Sequence, residues 1–397
     1  MIELYNKKEN CCGCTACMNI CPINAIEMKE DSEGFLYPQI DQSLCINCEI
    51  CKKVCPFYDK PTIYGHLNIP EIYAAKHKSD EVRLRSTSGG MFTAISDYIL
   101  NQGGVVFGAS YDDDFNVRHQ KAETTEERDL FRGSKYVQSD LKQVFQEIRQ
   151  NLDAKKYVLF SGTPCQTAGL YKFLEDKCDL SKFYLCDIVC HGTPSPLLWR
   201  EHINFMSKKH KKKIVQYCFR YKWRDINVFI SFSDGSSFVN SNDLLTYTNI
   251  FYSHLALRPS CHFCKFTNLH RPSDITIADF WGIEKCNPQF DDSSGVSLVL
   301  VNTIKGKSMF DSIKNSIDFE PSNTTDCLQT NLEHPSVASS RRYEFWQDYY
   351  KYGFVYIIKK YASYDIITRT KINTKRLFKV ILNNLKVLGL IKELPGR

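Results

Sequence analysis

The sequence predicts an α/β protein, with a small α+β module before the α/β body and a helical segment after it. Two cysteine repeats lie in the first 60 of the 397 residues. Between about residues 70 and 310, short apolar runs alternate with segments of helical periodicity, which is typical of a sheet covered by helices. Aromatic residues and lysines then interleave at helical spacing. The predicted units are the head (1–60), two parts of the body (70–155 and 156–310) and a helical C-terminal extension (311–397).

Both repeats in the head have the spacing C-x2-C-x2-C-x3-C-P. This is the ligand spacing of bacterial ferredoxins with two 4Fe–4S clusters, in which the fourth cysteine of each repeat binds the other cluster. Cys12 lies outside this spacing and is interpreted as a thiol beside the first cluster. The predicted ligands are Cys11, Cys14, Cys17 and Cys55 for cluster one, and Cys21, Cys45, Cys48 and Cys51 for cluster two.

Zinc and disulfide bonds are the alternatives for these cysteines. A structural zinc site needs four ligands and has no use for the third C-x2 step, the x3 step or the proline that follows. The chain has 18 cysteines and shows no signal peptide before the first of them, which favours a reducing compartment over disulfides. We therefore expect a cytoplasmic protein. No apolar run approaches the roughly 18 residues of a membrane span.

Charge is distributed unevenly along the chain. The net charge is +6, whereas the first 60 residues contain nine acids and six lysines. Complementary charge favours docking of an acidic head on a basic body, and a chance distribution of surface charge is the alternative. The run Lys208–Lys213 is interpreted as a solvated basic turn or a contact for the head. A nucleic-acid site is not expected, because no aromatic residues interleave with these lysines.

The elements of the body follow one another in a regular order. Ser86–Gly90 precede the helical pattern of residues 91–100, and Gly103–Gly104 end it. Residues 214–240 contain β-branched and aromatic runs around a Ser-Asp-Gly turn, which predicts a hairpin. The remaining predicted helices are 140–151 and 167–174, and the predicted strands are 72–75, 105–109, 157–160, 183–189, 273–280 and 297–302.

Four later cysteines lie in predicted loops. Cys165 and Cys190 each follow an apolar strand, and the loops after neighbouring parallel strands meet at one edge of a sheet. Cys261 and Cys264 form a C-x2-C pair bounded by turns. Four converging thiols are enough for one more metal centre, with zinc as the weaker alternative. Cys186, in contrast, lies within an apolar strand, where a small buried side chain is expected.

Several of these segments also resemble a known family. They are Ser86–Gly90, Gly133–Tyr136, Gly162–Gln166, Cys190, Cys261–Cys264 and Ser273–Gly282. Over about residues 70–310 the chain is similar to the beta subunit of coenzyme F420-reducing hydrogenase, to F(420)H(2) dehydrogenase subunits and to 7-hydroxymethyl chlorophyll a reductase. The resemblance implies a flavin-binding α/β body that holds FAD, with a third 4Fe–4S cluster on Cys165, Cys190, Cys261 and Cys264.

The residues expected to bind the flavin are Ser86, Ser88, Gly89, Gly90, Gly133, Ser134, Lys135, Tyr136, Thr163 and Gln166. Hydroxyls and glycines before a helix suit a pyrophosphate, because the first N–H groups of a helix are unpaired. No Walker lysine follows them, so a nucleoside triphosphate is not expected. Gln166 can instead cap the following helix, and Lys135 can instead be a solvated loop residue.

Two residues are candidates for catalysis. Lys135 is interpreted as a group that stabilises the negative charge of phosphate or reduced flavin. His191, beside Cys190, is interpreted as a proton donor to substrate or as a hydrogen-bond partner of a cluster sulfur. Asp279 and Trp281 lie in the Ser273–Gly282 segment and are expected near the flavin, with packing as the alternative for the tryptophan.

The sequence thus predicts an iron–sulfur flavoprotein oxidoreductase that passes electrons between 4Fe–4S clusters and FAD. Its expected partners are a ferredoxin or another low-potential donor and a small organic substrate, with coenzyme F420 as one candidate. The alternative is a non-catalytic electron-transfer subunit of a larger redox complex. The C-terminal extension is expected to pack on the body, and contact with a membrane surface or a partner protein is its alternative role.

Overall fold

The structure is a computed structural model, and it describes residues 2–58, 61, 63–221 and 227–364. Its strands are β1 (Ile26–Glu30), β2 (Leu36–Ile40), β3 (His66–His77), β4 (Val105–Tyr111), β5 (Val117–Ala122), β6 (Val158–Gly162), β7 (Phe183–Ile188), β8 (Ile214–Cys218), β9 (Phe229–Phe232), β10 (Ser237–Val239), β11 (Ile275–Asp279), β12 (Ser297–Thr303) and β13 (Ile317–Pro321). Its α-helices are α1 (Ala16–Ile20), α2 (Ile50–Lys53), α3 (Asp80–Leu84), α4 (Met91–Leu100), α5 (Thr125–Asp129), α6 (Val144–Asp153), α7 (Pro164–Leu174), α8 (Pro196–His210), α9 (Leu245–Tyr252), α10 (Ile283–Cys286), α11 (Ile304–Ile313), α12 (Thr324–Cys327), α13 (Thr330–Glu333), α14 (Arg342–Tyr352) and α15 (Phe354–Tyr361).

The body is built on an eight-stranded mixed sheet with the order β13-β3-β12-β11-β7-β6-β4-β5. Strands β4, β6, β7 and β11 are parallel neighbours, and the outer pairs are antiparallel. The predicted α/β class is confirmed for the body. Because β6 and β7 are parallel, with Gly162 opposite Asp187, Cys165 at the start of α7 and Cys190 in the loop after β7 follow the same edge of the sheet.

Alternating side chains of the central strands enter two different cores. Phe107 and Phe160 point to a core shared with α6 and α7, whereas Val106 and Leu159 point to a core shared with α4 and α11. The period of two along a strand therefore covers both faces of the sheet. Cys186 is fully buried on the α4 side, as its position within an apolar strand predicts.

The head is a small unit that packs on one face of the body. Strands β1 and β2 form an antiparallel hairpin, and Cys14, Ala16 and Val54 enter the α6–α7 core. Two ion pairs link the head to helices of the body, Glu30 with Arg200 at 2.5 Å and Glu33 with Arg342. The acidic head therefore docks on basic residues of the body, as its charge predicts.

The lysine run Lys208–Lys213 does not contribute to that docking in the contacts observed. It spans the end of α8, where Lys209 pairs with Asp243 at 2.8 Å and Lys212 pairs with Asp234 at 2.5 Å. Both acids belong to the body. The run therefore stabilises the end of α8 and the neighbouring hairpin. This hairpin, formed by β9 and β10, is the one predicted around the Ser-Asp-Gly turn.

Strands β8, β9 and β10 form a separate three-stranded sheet, which packs with α8, α9, α14 and α15 around a third core. Phe345, Trp346, Ile357 and Ile358 are buried in this core. The C-terminal extension therefore packs on the body as far as Tyr364. Within the described residues, no helix is long and apolar enough to cross a membrane.

The predicted helical extension from residue 311 differs from the structure at its start. Residues 317–321 form β13, which pairs with β3 at the edge of the main sheet. Asp318 and Glu320 alternate with Ile317 and Phe319 along this strand, so only every second residue is apolar. Such a short half-exposed edge strand gives a weak apolar signal. The helical spacing predicted for Lys371–Lys392 lies outside the described residues.

Candidate functional site

The structure brings the head cysteines together in two sets. Burial raises the pKa of Cys17, and the neighbouring thiols of Cys11, Cys55 and Cys51 raise it further. Cys55 thus joins cysteines of the first repeat. A small cavity in the head is lined by the other set, Cys21, Cys45, Cys48 and Cys51. These neighbours accord with an exchange of the fourth cysteine between the repeats, and the assignment of the eight ligands stays a prediction.

The two ligand loops have the same unusual backbone. Gly13 and Thr15 in the first repeat, and Asn47 and Glu49 in the second, have φ between +55° and +71°. These are equivalent positions in the C-x2-C-x2-C turn. Turns of this kind direct successive backbone N–H groups into a concave site for an anion, an arrangement common at iron–sulfur centres. The backbone of both loops therefore fits a negatively charged cluster.

The third cysteine set also converges. Burial raises the pKa of Cys190 well above its usual range, and the thiols of Cys261, Cys165 and Cys264 around it raise it further. The backbone N–H of Thr193 donates to Cys261 Sγ over 3.3 Å. Four partly buried thiols, from the start of α7, the loop after β7 and the turn that begins at Pro259, thus neighbour one another.

Single-ion geometry and cluster geometry place different demands on such a site. Across the part of the chain that the structure describes, no three His, Cys, Asp or Glu side chains lie close enough together to hold one metal ion. In a 4Fe–4S cube each thiolate binds a separate iron atom, so the sulfurs stand around the cube and not around one ion.

Cys12 lies between the first and third sets. Its thiol neighbours that of Cys14 in the first set and that of Cys165 in the third. Cys14 and burial raise the pKa of Cys12 well above its usual range, and Cys12 and burial raise the pKa of Cys165 in the same way. Apolar contacts with Phe57, Ala168 and Phe266 surround the junction. The residue that the spacing left over therefore connects the head to the body.

The three sets follow one another from the surface to the interior. Cys48 of the second set is exposed, and Cys51 of that set neighbours Cys17 of the first. Cys12 links the first set to Cys165, and Cys190 lines a large cavity of the body. One-electron centres in these positions would form a continuous series that ends at this cavity.

The cavity has a volume of about 420 Å³ and opens at the carboxyl edge of the main sheet. That volume lies within the range of about 300–1,000 Å³ that is typical of cofactor and ligand sites. Every residue predicted to bind the flavin lines it except Gly89. Gly89 lies against the sheet instead, where an added Cβ would stand 2.7 Å from the backbone nitrogen of Ser297. Its role is to let the loop approach β3 and β12 closely.

The loop before α4 presents backbone donors to the cavity. Gly90 has φ +85°, and no side chain caps the N-terminus of α4. The hydroxyls of Ser86 and Ser88 donate to the carbonyls of Val82 and Val296, at 2.7 and 3.1 Å. Since a phosphate accepts hydrogen bonds, the donors available to it here are backbone N–H groups of the helix terminus and not these hydroxyls.

Lys135 lies at the same cavity. Its Nζ donates to the carbonyls of Leu130 and Arg132, each over 2.9 Å, so it also holds its own loop. Burial lowers the pKa of Lys135 to about 7. A lysine with this pKa changes its charge near neutral pH, and an anion placed beside it would favour the charged form.

His191 and Gln166 have defined partners. His191 shares a 2.8 Å hydrogen bond with His254, and its other ring nitrogen contacts Asn331 at 3.2 Å. Gln166 Oε1 accepts from the Thr163 N–H over 3.0 Å, which completes a capping box at the start of α7. Of the two roles predicted for Gln166, capping is the one observed. His191 remains a cavity residue with a path of hydrogen bonds to His254.

The cavity wall also contains an ion pair between Arg220 and Asp279, of which only Asp279 is predicted from the sequence. Arg220 Nη1 donates to Asp279 Oδ2 over 2.6 Å, and its guanidinium lies 5.5 Å from the ring centre of Trp281. Asp279 and Trp281 are predicted to lie near the flavin, whereas Arg220 has no motif around it. The pair fixes a buried cation at the wall of the cavity, where an anionic group of a ligand can meet it.

The sequence comparisons assign these regions to known domains. The head matches the 4Fe-4S dicluster domain over residues 10–58. The body matches the N-terminal and C-terminal domains of the coenzyme F420 hydrogenase/dehydrogenase beta subunit, over residues 72–146 and 155–326, together more than half of the chain. The chain belongs to the family of coenzyme F420 hydrogenase/dehydrogenase beta subunits. The resemblance predicted from its motifs is thereby confirmed.

Relatives of this chain include proteins from Methanosarcina and Trichormus. One subunit of the F(420)H(2) dehydrogenase of Methanosarcina mazei is 22% identical over 321 residues, which cover 78% of this chain and 83% of that protein. The ferredoxin-like protein in the nif region of Trichormus variabilis is 33% identical over 76 residues, 17% of this chain and 58% of its own length. A chain of the F420-reducing hydrogenase complex from Methanosarcina barkeri, solved as a xenon derivative, superposes with a TM-score of 0.44 at 16% identity, over 66% of this chain and 85% of that one.

Proposed function

We propose that this chain is an iron–sulfur flavoprotein oxidoreductase with three 4Fe–4S clusters and one FAD. The observation that carries the proposal is the series of three thiol sets, which runs from the exposed Cys48 to Cys190 at the wall of the cavity. When bound, the clusters transfer single electrons, and the flavin exchanges either single electrons or a hydride with an organic molecule. A deazaflavin coenzyme or another small organic compound is the proposed substrate.

Different residues of the chain are proposed to bind the clusters, to bind the flavin and to transfer a proton. The left-handed turns around Gly13 and Asn47 direct N–H groups toward the head sites, and the uncapped start of α4 offers N–H groups to a pyrophosphate. Lys135 and Arg220 place positive charge at the cavity. His191 is positioned to hold or pass a proton through its hydrogen bond with His254.

Electrons are proposed to enter at the second thiol set. Cys48 is exposed, and Leu44 and Ile46 beside it are 54% and 62% exposed. An exposed apolar rim around a redox centre suits a transient protein partner such as a ferredoxin. The relative from Methanosarcina mazei is named as one subunit of a dehydrogenase, which favours the second candidate function, an electron-transfer subunit without turnover of its own.

Metal and flavin content tests the proposal directly. Anaerobically reconstituted protein is expected to contain about 12 iron atoms and one FAD per chain. Cys261→Ser should lose about four irons and keep the head clusters, whereas Cys286→Ser, at an exposed cysteine outside the three sets, should lose none.

Three outcomes would contradict it. A content of about eight irons without flavin would show that the protein holds neither the third cluster nor FAD. Zinc bound at the third set would show that this set has a structural role. Turnover of the purified chain, with reduced ferredoxin as the electron donor and F420 or another compound as the acceptor, separates the two candidate functions. A protein that carries all its cofactors but reduces no acceptor until a partner subunit is added would be the electron-transfer subunit.

Flavin affinity is expected to depend on pH through Lys135. Its pKa of about 7 means that the ammonium group loses its proton, and its attraction for an anion, as the pH rises through about 7. Lys135→Met should therefore weaken FAD binding markedly at pH 6 and little at pH 8.5. Fluorescence titration of the deflavinated protein with FAD measures this. An equal loss at both pH values would assign Lys135 to its loop contacts with Leu130 and Arg132 instead.

A further inference from the structure

Arg258 joins the first and third thiol sets. It immediately precedes the turn that carries Cys261, and it is 1% exposed. Its backbone N–H donates to Thr193 O over 2.9 Å, and its own carbonyl accepts from the N–H of Cys261 over 2.9 Å. Its backbone is therefore part of the third ligand loop.

The side chain of Arg258 extends from that loop into the head. Nε donates to the carbonyl of Cys11 over 2.9 Å, and Nη2 donates to the carbonyl of Leu36 over 3.0 Å. Nη2 also lies 3.7 Å from Cys11 Sγ, and Nη1 donates to Gln138 Oε1 over 2.9 Å. The guanidinium stacks 4.1 Å from the ring centre of Tyr37. The guanidinium thus contacts the first ligand loop at both the carbonyl and the sulfur of Cys11, and Leu36 and Gln138 hold its other N–H groups.

None of these partners is a carboxylate. The other deeply buried arginines around the site have one, as Arg271 has Asp187 and Arg220 has Asp279. Among the ion pairs of the described residues, Arg258 has no acidic partner. Burying a cation without a compensating anion is unfavourable, so the structure requires negative charge close to this guanidinium. The thiolate of Cys11, with the cluster that the first set would hold, supplies it.

We propose that Arg258 is a positioning residue that raises the reduction potential of the cluster held by Cys11, Cys14, Cys17 and Cys55. Reduction adds one electron, and so one negative charge, to that centre without making or breaking a bond. A buried positive charge with an N–H directed at a ligand sulfur stabilises the reduced form more than the oxidised form. The inference rests on the proposed function only for the cluster in the head, and not for the flavin or the third cluster.

The test is an anaerobic redox titration with dithionite as the electron donor, followed by EPR, on the full-length reconstituted protein. Arg258→Gln is expected to lower the midpoint potential of the first cluster most, to lower that of the third cluster less, because the guanidinium also lies near Cys165 and Cys261, and to leave that of the second cluster unchanged. The expected loss is at least tenfold in the equilibrium constant for reduction, which is about 59 mV for one electron. Arg258→Lys keeps the charge but not the planar fork of donors, so its shift should be smaller and in the same direction.

Arg342→Gln is the matched control. Arg342 also links the body to the head, through Glu33, and it donates to the carbonyl of Leu257 within the body, but among its hydrogen bonds none goes to a cysteine of the three sets. This variant should leave every potential unchanged.

An unchanged potential in Arg258→Gln with full iron content would overturn the inference. An equal shift in Arg342→Gln would overturn it as well, because docking alone would then set the potential. If Arg258→Gln does not hold iron, the midpoint potential of the first cluster in Arg258→Lys, compared with that of the wild type, tests the inference instead. Loss of the first cluster from both variants would assign Arg258 a structural role only. Absence of flavin or of the third cluster from the wild-type protein would contradict the proposed function while leaving this titration of the head intact.

Discussion

Replacing Arg271 with leucine is expected to destabilise the protein by about 3–5 kcal/mol, because the substitution leaves a buried carboxylate without its partner. Arg271 and Asp187 are among the most deeply buried charged residues, with side chains 1% and 0% exposed. Arg271 Nη2 donates to Asp187 Oδ2 over 3.1 Å and to the carbonyl of Ile188 over 2.9 Å. Thermal and urea unfolding measure the loss.

The same substitution is expected to release the iron of the third thiol set. Asp187 lies three residues before Cys190, and Arg271 also donates to the carbonyl of Phe266, two residues after Cys264. One guanidinium therefore holds two of the ligand loops in place. Iron analysis of Arg271→Leu should show a loss of about four atoms, with the head clusters retained.

The stability of this variant should also depend on pH in a defined direction. Burial raises the pKa of Asp187, and Arg271 opposes that shift. Without Arg271 the folded-state pKa rises further above the unfolded value. A carboxyl with a raised folded-state pKa binds its proton more tightly in the folded protein, so stability falls as the pH rises between the two pKa values. The deficit of Arg271→Leu relative to the wild type should therefore shrink toward acidic pH.

Two further variants identify the cause. The double substitution Asp187→Asn with Arg271→Leu removes both charges and should recover part of the stability. Arg85→Leu, at an arginine that is 63% exposed, should change stability by no more than about 0.5 kcal/mol. A double variant as unstable as Arg271→Leu would show that lost packing, and not the uncompensated charge, causes the effect.

Local patterns in the sequence predicted much of the body. The helix predicted over residues 91–100 is α4 (Met91–Leu100), and the strand predicted over 183–189 is β7 (Phe183–Ile188). Both have strong apolar periodicity and clear ends. Helix α7 begins at Pro164, three residues earlier than predicted, because proline fits the first helical position and Thr163 with Gln166 forms the capping box.

The interactions that hold the thiol sets were not predictable in the same way. Cysteine spacing indicates which residues bind a cluster, since one short loop must surround the cube. It carries no information about side chains that reach a ligand from far along the chain. Arg258 contacts Cys11 from 247 positions away, and Cys12 contacts Cys165 although no spacing rule involves it. Only the packing of the head on the body brings these residues together.

Gly169→Ala is expected to remove the first cluster from the head. Within most helices this substitution would stabilise the protein, by roughly 1 kcal/mol. In α7, however, an added Cβ would lie 2.6 Å from Cys14 Sγ and 2.9 Å from Cys14 Cβ. Cys14 is buried in the core shared by the head and α7, so the methyl group must displace a predicted ligand. Overpacking of this kind costs typically about 1–3 kcal/mol.

Iron content and thermal unfolding of Gly169→Ala measure the two effects separately. About four irons should be lost, while the second set, which Gly169 does not contact, should keep its cluster. Gly306→Ala is the matched control, because Gly306 lies in α11 and an added Cβ there would contact the backbone of Asp274, away from the head sites. That variant should be destabilised yet retain the head clusters. The opposite result would be a Gly169→Ala protein that keeps all its iron and unfolds at a higher temperature. It would show that the head can shift away from α7 without losing its ligand geometry. Close contact between Cys14 and α7 would then be unnecessary for the first cluster.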